Sequence, residues 1–275
     1  MGSGKKVGFI GFGRMGSALA LGAISAGALA ARRIIAYDSA PEARRKIKRI
    51  KARLAGDVGE VVKAADYIFI CVKPQKIEEV LAEIRAASAD VASEKKCFVS
   101  IAAGITLERL AESLGRKIPL IRVMPNTPAL LGKGMSVLSA GSNATNKDVE
   151  RVRRILQSVG EVAIMPENFM DAVTAVSGSG PAYAFYLAES MIEAAEELGL
   201  PAAIAERLVR QTISGAGEML GAMKEGPRNL REQVTSPGGT TAAAIGEFEN
   251  QGFKEIVKSA IKKAAERSRE IGAGS

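Results

Sequence analysis

A glycine-rich segment close to the N-terminus has the residue types and spacing that bind phosphate groups. Its glycines follow an apolar run at Val7–Ile10 and precede a helical pattern. In such a strand–turn–helix setting the first glycine allows a tight turn, the second lets backbone approach a pyrophosphate, and the third lets the helix pack on the strand. The N-terminus of the helix adds free N–H groups. We predict a dinucleotide site here, formed by Gly11, Phe12, Gly13, Arg14, Met15 and Gly16.

The residues after the second apolar run bear on which dinucleotide would bind. Asp38 follows the run Ile34–Tyr37, where a carboxylate can accept hydrogen bonds from the adenosine ribose and repel a 2′-phosphate, which favours NADH. Ser39 could instead donate to a phosphate, and two basic residues, Arg44 and Arg45, follow within the next helical pattern. We predict that Asp38 and Ser39 contact the cofactor, and both NADH and NADPH stay open.

Three more loops follow apolar runs that are typical of strands. They are Val72-Lys73-Pro74-Gln75, the segment from Ser100 to Gly104, and Met124-Pro125-Asn126-Thr127-Pro128. Ligands bind beyond the carboxyl ends of the strands in open α/β sheets. We therefore expect these loops to flank the ribose and nicotinamide of the cofactor.

The C-terminal half contains two stretches in which small and hydroxylated residues precede a helical pattern. One runs from Ser177 to Tyr183, and the other from Val234 to Thr241. Capping by Thr240 or Thr241 would explain one hydroxyl of the second stretch, but not several together. Ser236, Gly239, Thr240 and Thr241 offer hydroxyls and backbone N–H groups at a helix N-terminus, which suits a carboxylate. A small anionic substrate is the predicted ligand.

The composition excludes several kinds of chemistry. None of the 275 residues is histidine, which removes imidazole bases and most zinc and non-haem iron sites, so we predict no metal. The two cysteines, Cys71 and Cys97, lie in apolar runs and are predicted to be free thiols in a reducing cytoplasm. The uncharged segment 15–31 is interrupted by glycine and serine, so we interpret it as a buried helix rather than a signal peptide or membrane span.

The net charge of +8 raises the question of a nucleic-acid partner. The densest basic cluster, at 44–53, spreads around a predicted helix and leaves an apolar stripe of Ile47, Ile50 and Leu54, which is typical of a solvated surface helix. Aromatic residues make up only 4% of the chain, so platforms for base stacking are scarce. We predict no nucleic-acid and no membrane partner, and the positive charge favours a small anionic ligand.

The pattern of elements predicts an α/β chain with two domains. Strand-like runs alternate with helical patterns up to about residue 165, which predicts a mainly parallel Rossmann-type sheet covered on both faces. Beyond that point only helical patterns follow, which predicts an all-α domain. The expected boundaries are 5–165 and 166–272. The predicted strands are Val7–Ile10, Ile34–Tyr37, Tyr67–Val72, Cys97–Ile101, Leu120–Met124, Met135–Leu138 and Val159–Ile164. The predicted helices are 15–28, 41–54, 76–87, 106–114, 147–157, 167–176, 181–199, 202–223, 240–249 and 253–271.

These motifs, in this order and with similar separations, resemble the pyrroline-5-carboxylate reductase family over essentially the whole chain. The stretch from Val234 to Thr241, continuing to Ile245, carries the resemblance most specifically. The resemblance implies a Rossmann-type domain followed by a helical dimerisation domain. It also implies reduction of 1-pyrroline-5-carboxylate to L-proline by hydride from NADPH or NADH, in a homodimer or a larger ring built from dimers.

The resemblance also assigns roles to individual residues. Thr241 would hydrogen-bond the ring nitrogen, while Ser236, Gly239 and Thr240 would hold the substrate carboxylate. The positions beside the cofactor, in addition to the glycine-rich turn and Asp38 and Ser39, are Val72, Lys73, Pro74, Ala102, Ala103 and Asn126. Two departures touch the adenosine end. Asp38 stands where many relatives have a small or basic residue, and Val58 stands where asparagine is common.

Two other functions fit parts of the pattern. A related imine reductase or a β-hydroxyacid dehydrogenase would share the two-domain plan, but the latter usually has a catalytic lysine on the long helix after the sheet, and 181–199 contains none. A non-catalytic dinucleotide-sensing protein would keep the glycine-rich turn, yet it has little reason to keep Ser236, Thr240 and Thr241 as a set.

Overall fold

An eight-stranded sheet forms the centre of the N-terminal part of the chain. The structure, a computed structural model, describes residues 4–88, 96–115 and 117–273. The strands are β1 (Val7–Ile10), β2 (Ile34–Tyr37), β3 (Arg53–Leu54), β4 (Tyr67–Ile70), β5 (Cys97–Ser100), β6 (Leu120–Met124), β7 (Gly134–Ala140) and β8 (Gly160–Ile164). Their order is β3-β2-β1-β4-β5-β6-β7-β8, and every neighbouring pair is parallel except β6 and β7. The predicted mainly parallel sheet is confirmed.

Helices cover both faces of this sheet. They are α1 (Arg14–Ser25), α2 (Pro41–Arg49), α3 (Val58–Ala64), α4 (Ile77–Ser88), α5 (Leu107–Leu114) and α6 (Asn146–Gln157). Consecutive residues of β1 show why two layers form, because Phe9 joins a core with α1, α2 and α6, whereas Ile10 joins a core with α3, α4 and α5. Each buried aromatic or aliphatic side chain of this kind contributes about 1.5–3 kcal/mol.

The rest of the chain is helical. A 3-10 turn at Glu167–Phe169 leads into a short helix and a π turn at Thr174–Gly178. The helices from this point on are α7 (Met170–Val173), α8 (Gly180–Glu197), α9 (Ala202–Ala222), α10 (Pro227–Gln233), α11 (Thr240–Asn250) and α12 (Phe253–Ala273). Of these, α8 and α9 pack against each other. No described helix is both long enough and apolar enough to span a membrane.

The chain forms two compact units. One runs from the N-terminus through Gly178 and includes the residues from Ala264 onward, and the other is Ser179–Lys263. This division by contacts falls later than the boundary expected between residues 165 and 166, which stays a prediction. The last turns of α12 belong to the first unit because Ser268 donates a 2.7 Å hydrogen bond to Asp171 and Ile271 packs against Gly104.

The predicted helix 41–54 is wrong in its second half. It ends at Arg49, because Lys51 adopts a left-handed backbone with φ 59° and Arg53–Leu54 pairs with β2 instead. Leu54 therefore belongs to an edge strand and not to a helical stripe. Two short helices, α3 and α10, were not predicted at all. The remaining elements occur where they were expected, with ends displaced by up to three residues, and both cysteines are free.

Two glycines allow β7 and β8 to begin side by side. Gly160 has a φ of 145°, and a Cβ atom there would overlap the carbonyl oxygen of Gly134. We expect Gly160→Ala to lower the free energy of unfolding of the first unit by about 2–4 kcal/mol, through backbone strain and overlap. Urea denaturation followed by circular dichroism measures this change.

The matched control is Gly56→Ala. The added Cβ there would meet only the end of the Glu60 side chain at 3.6 Å, so the unfolding midpoint should barely change. Equal stability of the Gly160 variant and the control would contradict the account of β8.

Candidate functional site

Five strand ends meet along one edge of the sheet in the first unit. Because β1, β2, β4, β5 and β6 are parallel neighbours or share a parallel neighbour, the loops that follow them emerge on the same side. The chain leaves β1 toward β2 in one direction and later returns to β4 on the other side of β1. Such a reversal of strand order opens the crevice in which open α/β sheets bind ligands.

The glycine-rich turn after β1 has a geometry that leaves room for a ligand. Gly11 has a φ of 91°, and a Cβ there would come within 2.7 Å of the carbonyl oxygen of Cys71. A Cβ on Gly16 would overlap the carbonyl oxygen of Gly11, so the first turn of α1 lies directly on the turn. A Cβ on Gly13 would meet nothing within 4 Å. The middle glycine thus faces open space, as close approach of a pyrophosphate requires.

The first turn of α1 is open to an anion. Gly13 is the N-cap, no side chain caps the helix, and its first turn contains no acidic residue. The exposed Arg14 adds positive charge at this end. Free N–H groups together with the helix dipole favour a phosphate. The turn therefore fits the pyrophosphate of a dinucleotide.

Two predicted contact residues also have structural roles within the turn. Asp38 follows β2 and accepts hydrogen bonds from the N–H of Phe12 at 2.6 Å and of Ala40 at 2.8 Å. Each carboxylate oxygen retains a lone pair that can accept from a ribose hydroxyl. The Phe12 ring is fully buried beside Phe9, so this side chain cannot contact a ligand. Ser39 is exposed next to Asp38, while Met15 is partly buried on α1.

The three loops after β4, β5 and β6 differ in how exposed their predicted contact residues are. After β4, Lys73 is exposed and precedes a 3-10 turn that begins with Pro74, and Val72 is partly buried. After β5, Ala102 is buried and Ala103 is partly exposed. Burial raises the pKa of the Cys71 thiol, which therefore stays protonated at neutral pH and offers no nucleophile beside the turn.

Asn126, after β6, is held by the protein itself. Its side-chain oxygen accepts a 2.8 Å hydrogen bond from the N–H of Met135, and its nitrogen donates to the carbonyl oxygen of Ser177 at 3.2 Å and to its hydroxyl at 3.3 Å. No role was predicted for Ser177 at this edge. The only signal was its place in a run of small residues, because the two positions lie 51 residues apart.

A partly buried ion pair ties the middle of β6 to the helical segment that follows β8. Arg122, only 5% exposed in its side chain, donates to Glu167 at 3.0 Å, and the same carboxylate oxygen accepts from the N–H of Leu107 at 2.7 Å. Charge-assisted bonds of this kind are stronger than neutral ones. No pattern in the sequence indicates this pair, which acts on the position of the loops and not on a ligand.

In the second unit, the hydroxylated residues gather at the start of α11. A Cβ on Gly239 would come within 2.5 Å of the Ser236 hydroxyl, so that hydroxyl lies against the N-terminus of the helix. Thr240 and Thr241 are the first two residues of α11, so the prediction that one of them is the N-cap is wrong. Gly239 takes that place, since its φ of −79° and ψ of 170° are extended.

This start of α11 is open in the same way as that of α1. No side chain caps it, and its first turn contains no acidic residue. Because Gly239 has no side chain, backbone N–H groups and the neighbouring hydroxyls remain available to a bound group. A carboxylate is the ligand that such a site favours.

Comparison with known proteins gives the family. Residues 167–271 match a model described as pyrroline-5-carboxylate reductase dimerisation, and residues 6–104 match one described as NADP oxidoreductase, coenzyme F420-dependent. The chain is 37% identical over 265 residues to the pyrroline-5-carboxylate reductase of Pisum sativum, covering 96% of this chain and 95% of that one. It belongs to the pyrroline-5-carboxylate reductase family.

Solved structures of pyrroline-5-carboxylate reductases agree with this family. One from Coxiella burnetii superimposes with a TM-score of 0.89 at 31% identity, covering 98% of this chain and 99% of that one. The Plasmodium falciparum protein, whose structure has NADP bound, gives 0.85 at 32% identity over 98% of both chains. As a member of the pyrroline-5-carboxylate reductase family, the chain is an oxidoreductase.

The contrasting surroundings of two glycines give a test of the dinucleotide site. Gly13→Ala adds a Cβ in open space where the pyrophosphate would lie, so we expect normal stability and a dissociation constant for NAD(P)H raised about tenfold or more, or about 1.4 kcal/mol. Fluorescence titration with the reduced cofactor measures the affinity.

Gly16→Ala is the matched counterpart. Its Cβ would overlap the Gly11 carbonyl oxygen, so this variant should lose about 2–4 kcal/mol of stability as well as affinity. Unchanged cofactor affinity in the Gly13 variant would remove the turn from the binding site.

Proposed function

We propose that this chain reduces 1-pyrroline-5-carboxylate to L-proline with hydride from NAD(P)H. The observation that carries the proposal is the open N-terminus of α11, where Ser236, Gly239, Thr240 and Thr241 offer hydroxyl and N–H donors without a competing cap. A carboxylate-bearing substrate matches these donors. The glycine-rich turn in the first unit fits the cofactor. The related proteins of pea, Coxiella and Plasmodium support the choice of substrate.

The cofactor and the residues at the start of α11 have separate roles in this reaction. When bound, NAD(P)H supplies the hydride. The N–H groups at the start of α11, with Ser236 and Thr240, bind the substrate carboxylate, and the Thr241 hydroxyl hydrogen-bonds the ring nitrogen. A protonated imine carbon is already electrophilic, so orientation and exclusion of water provide most of the catalysis. The Thr241 hydroxyl oxygen accepts from the N–H of the protonated imine and so orients the nitrogen, while solvent delivers the proton that this nitrogen carries. This scheme needs no histidine, and the chain has none.

At the adenosine end, we propose that Asp38 both holds the turn and accepts from the ribose. Its two bonds to Phe12 and Ala40 fix the carboxylate at the end of β2. Whether NADH or NADPH is preferred depends on the balance between this carboxylate and the basic residues of α2. Steady-state kinetics with both reduced cofactors measures the ratio directly.

We also propose that the chain works as a homodimer, or as a larger ring of dimers, in the cytoplasm. The helices α8 and α9 expose several large apolar side chains, among them Phe185 at 69% and Tyr186 at 72%. Contiguous exposed apolar surface is typical of a protein interface. The match of 167–271 to a dimerisation model supports the same partner. The free thiols suit a reducing compartment.

Substitution of Thr241 tests the substrate site. Thr241→Ala should lower kcat/KM for 1-pyrroline-5-carboxylate about 10- to 100-fold, or about 1.4–2.8 kcal/mol, because a hydrogen bond to the reacting nitrogen is lost. The dissociation constant for NAD(P)H should stay the same. Steady-state kinetics and cofactor titration provide the two values.

Thr212→Ala is the control for this experiment. The Thr212 hydroxyl only donates to the carbonyl oxygen of Leu208 on α9, so its removal should leave kcat/KM unchanged. If the Thr241 variant turned over like the wild type, Thr241 would have no part in the reaction. Absence of NAD(P)H oxidation by the wild-type chain with this substrate would overturn the proposed function itself.

A charge on α8 tests the dimer. Phe185→Glu should raise the dissociation constant of the dimer about tenfold or more, because a carboxylate would enter an apolar interface. Leu131→Glu, at a side chain that is 84% exposed outside the matched dimerisation segment, should leave association unchanged. Analytical ultracentrifugation measures both. If only the Leu131→Glu variant dissociated, the dimer interface would have to lie on another surface.

A further inference from the structure

The hydrogen bonds around Asn126 fix the direction of its side-chain amide. The N–H of Met135 can only donate, so the atom that faces it at 2.8 Å is the amide oxygen. The amide nitrogen must then face Ser177, where it lies 3.3 Å from the hydroxyl oxygen and 3.2 Å from the carbonyl oxygen. Asn126 is therefore a donor toward Ser177.

This direction determines what the Ser177 hydroxyl can do. Its oxygen already accepts a hydrogen bond, so its own hydrogen remains to be donated. Among the described residues, the Ser177 hydroxyl donates no hydrogen bond. Ser177 is itself partly exposed. Within the part of the chain that the structure describes, the hydroxyl is thus a positioned donor that has no internal hydrogen bond to give.

The backbone around Ser177 holds it against the end of β6. Ser177 lies in the π turn Thr174–Gly178, and a Cβ on Gly178 would overlap the end of the Met124 side chain. The Thr174 hydroxyl bonds to the carbonyl oxygen of Met170 at 2.7 Å. Single π turns occur frequently at functional sites. Contacts on both sides thus fix the Ser177 hydroxyl at the edge of the sheet.

The topology indicates which part of a dinucleotide would reach this point. Asp38, after β2, lies on one side of β1, while β4, β5 and β6 follow in order on the other side. With the pyrophosphate at the start of α1 and the adenosine toward Asp38, the nicotinamide half must extend toward β6. Three strand spacings separate β1 from β6, about 14 Å, within reach of that half of the molecule.

We propose that Ser177 donates a hydrogen bond to the carboxamide oxygen of the nicotinamide and that Asn126 is the residue that positions it. The carboxamide carries a carbonyl acceptor, which matches a hydroxyl whose remaining capacity is to donate. This inference rests on the proposed function only in that NAD(P)H is the bound cofactor. It adds Ser177 as a contact to the reacting ring and gives Asn126 a positioning role through Ser177.

The experiment measures binding to the assembled wild-type enzyme and its variants by calorimetry, without turnover. The probes are NADPH, its reduced thionicotinamide analogue, and 2′-phospho-ADP-ribose, which lacks the nicotinamide. Sulfur is a weak acceptor, so the wild type should bind the analogue about three- to tenfold more weakly than NADPH. Ser177→Ala should bind NADPH more weakly by a similar factor and should no longer distinguish the two dinucleotides.

Asn126→Asp tests the positioning role. A carboxylate can still accept from Met135 but would also attract the Ser177 hydroxyl hydrogen, so this variant should lose the same discrimination as Ser177→Ala. Ser142→Ala, which removes an exposed hydroxyl in the loop after β7, should behave like the wild type. All variants should bind 2′-phospho-ADP-ribose equally, since that probe cannot reach Ser177.

Three results would overturn the proposal. They are a Ser177→Ala variant that still distinguishes oxygen from sulfur, weakened binding of 2′-phospho-ADP-ribose in that variant, and binding of NADPH by that variant as tight as by the wild type. Because these are binding measurements, they are independent of whether the wild type reduces that substrate.

Discussion

The packing of the first turn of α1 against the end of β1 determines where the first unit can bind an anion. Gly16 lies so close to the Gly11 carbonyl that any side chain would separate the two segments. The contact aims the open N-terminus of the helix along the edge at which the strands end. Loops from β2, β4, β5 and β6 are useful to a ligand only because this helix is fixed in that direction.

A second set of interactions fixes the loops along the same edge. Each joins residues far apart in the chain: Asp38 to Phe12, Asn126 to Ser177, and Glu167 to both Arg122 and Leu107. Loops tend to be mobile, yet a binding site needs positions held within a fraction of an ångström. Polar side chains that hydrogen-bond to backbone groups hold a loop in position and leave its surface open to a ligand.

Much of the fold follows from local patterns, and the exceptions have identifiable causes. The apolar runs at Val7–Ile10, Ile34–Tyr37 and Leu120–Met124 are strands with the predicted ends. The helix α3 was missed because it has only seven residues, between Gly56 and a strand. Leu54 was assigned to a helix because its spacing from Ile47 and Ile50 fits a helical stripe. In the structure, the left-handed backbone at Lys51 interrupts the helical pattern, and Leu54 pairs with β2.

The candidate site divides in the same way between local and distant information. The glycine-rich turn and the hydroxylated stretch before α11 are contiguous in the chain, so the sequence alone predicted both. The Asn126–Ser177 contact spans 51 residues, and nothing in the spacing of either segment indicates it. The N-cap of α11 was wrongly given to threonine because the general preference for hydroxyls at that position was applied without regard to Gly239.

The presence of glycine, rather than the predicted threonine, at the N-cap of α11 has a chemical consequence. A threonine cap would satisfy one N–H with its own hydroxyl, as Thr106 does for α5 and Thr145 for α6. With glycine at the cap, as in both α1 and α11, that N–H stays available to a ligand. A chain without histidine, whose thiols stay protonated through burial, lacks the side chains that ordinarily exchange protons near neutral pH. Open helix N-termini supply oriented partial positive charge instead, and this suits a reaction whose substrate and cofactor both carry anionic groups and whose main requirement is alignment.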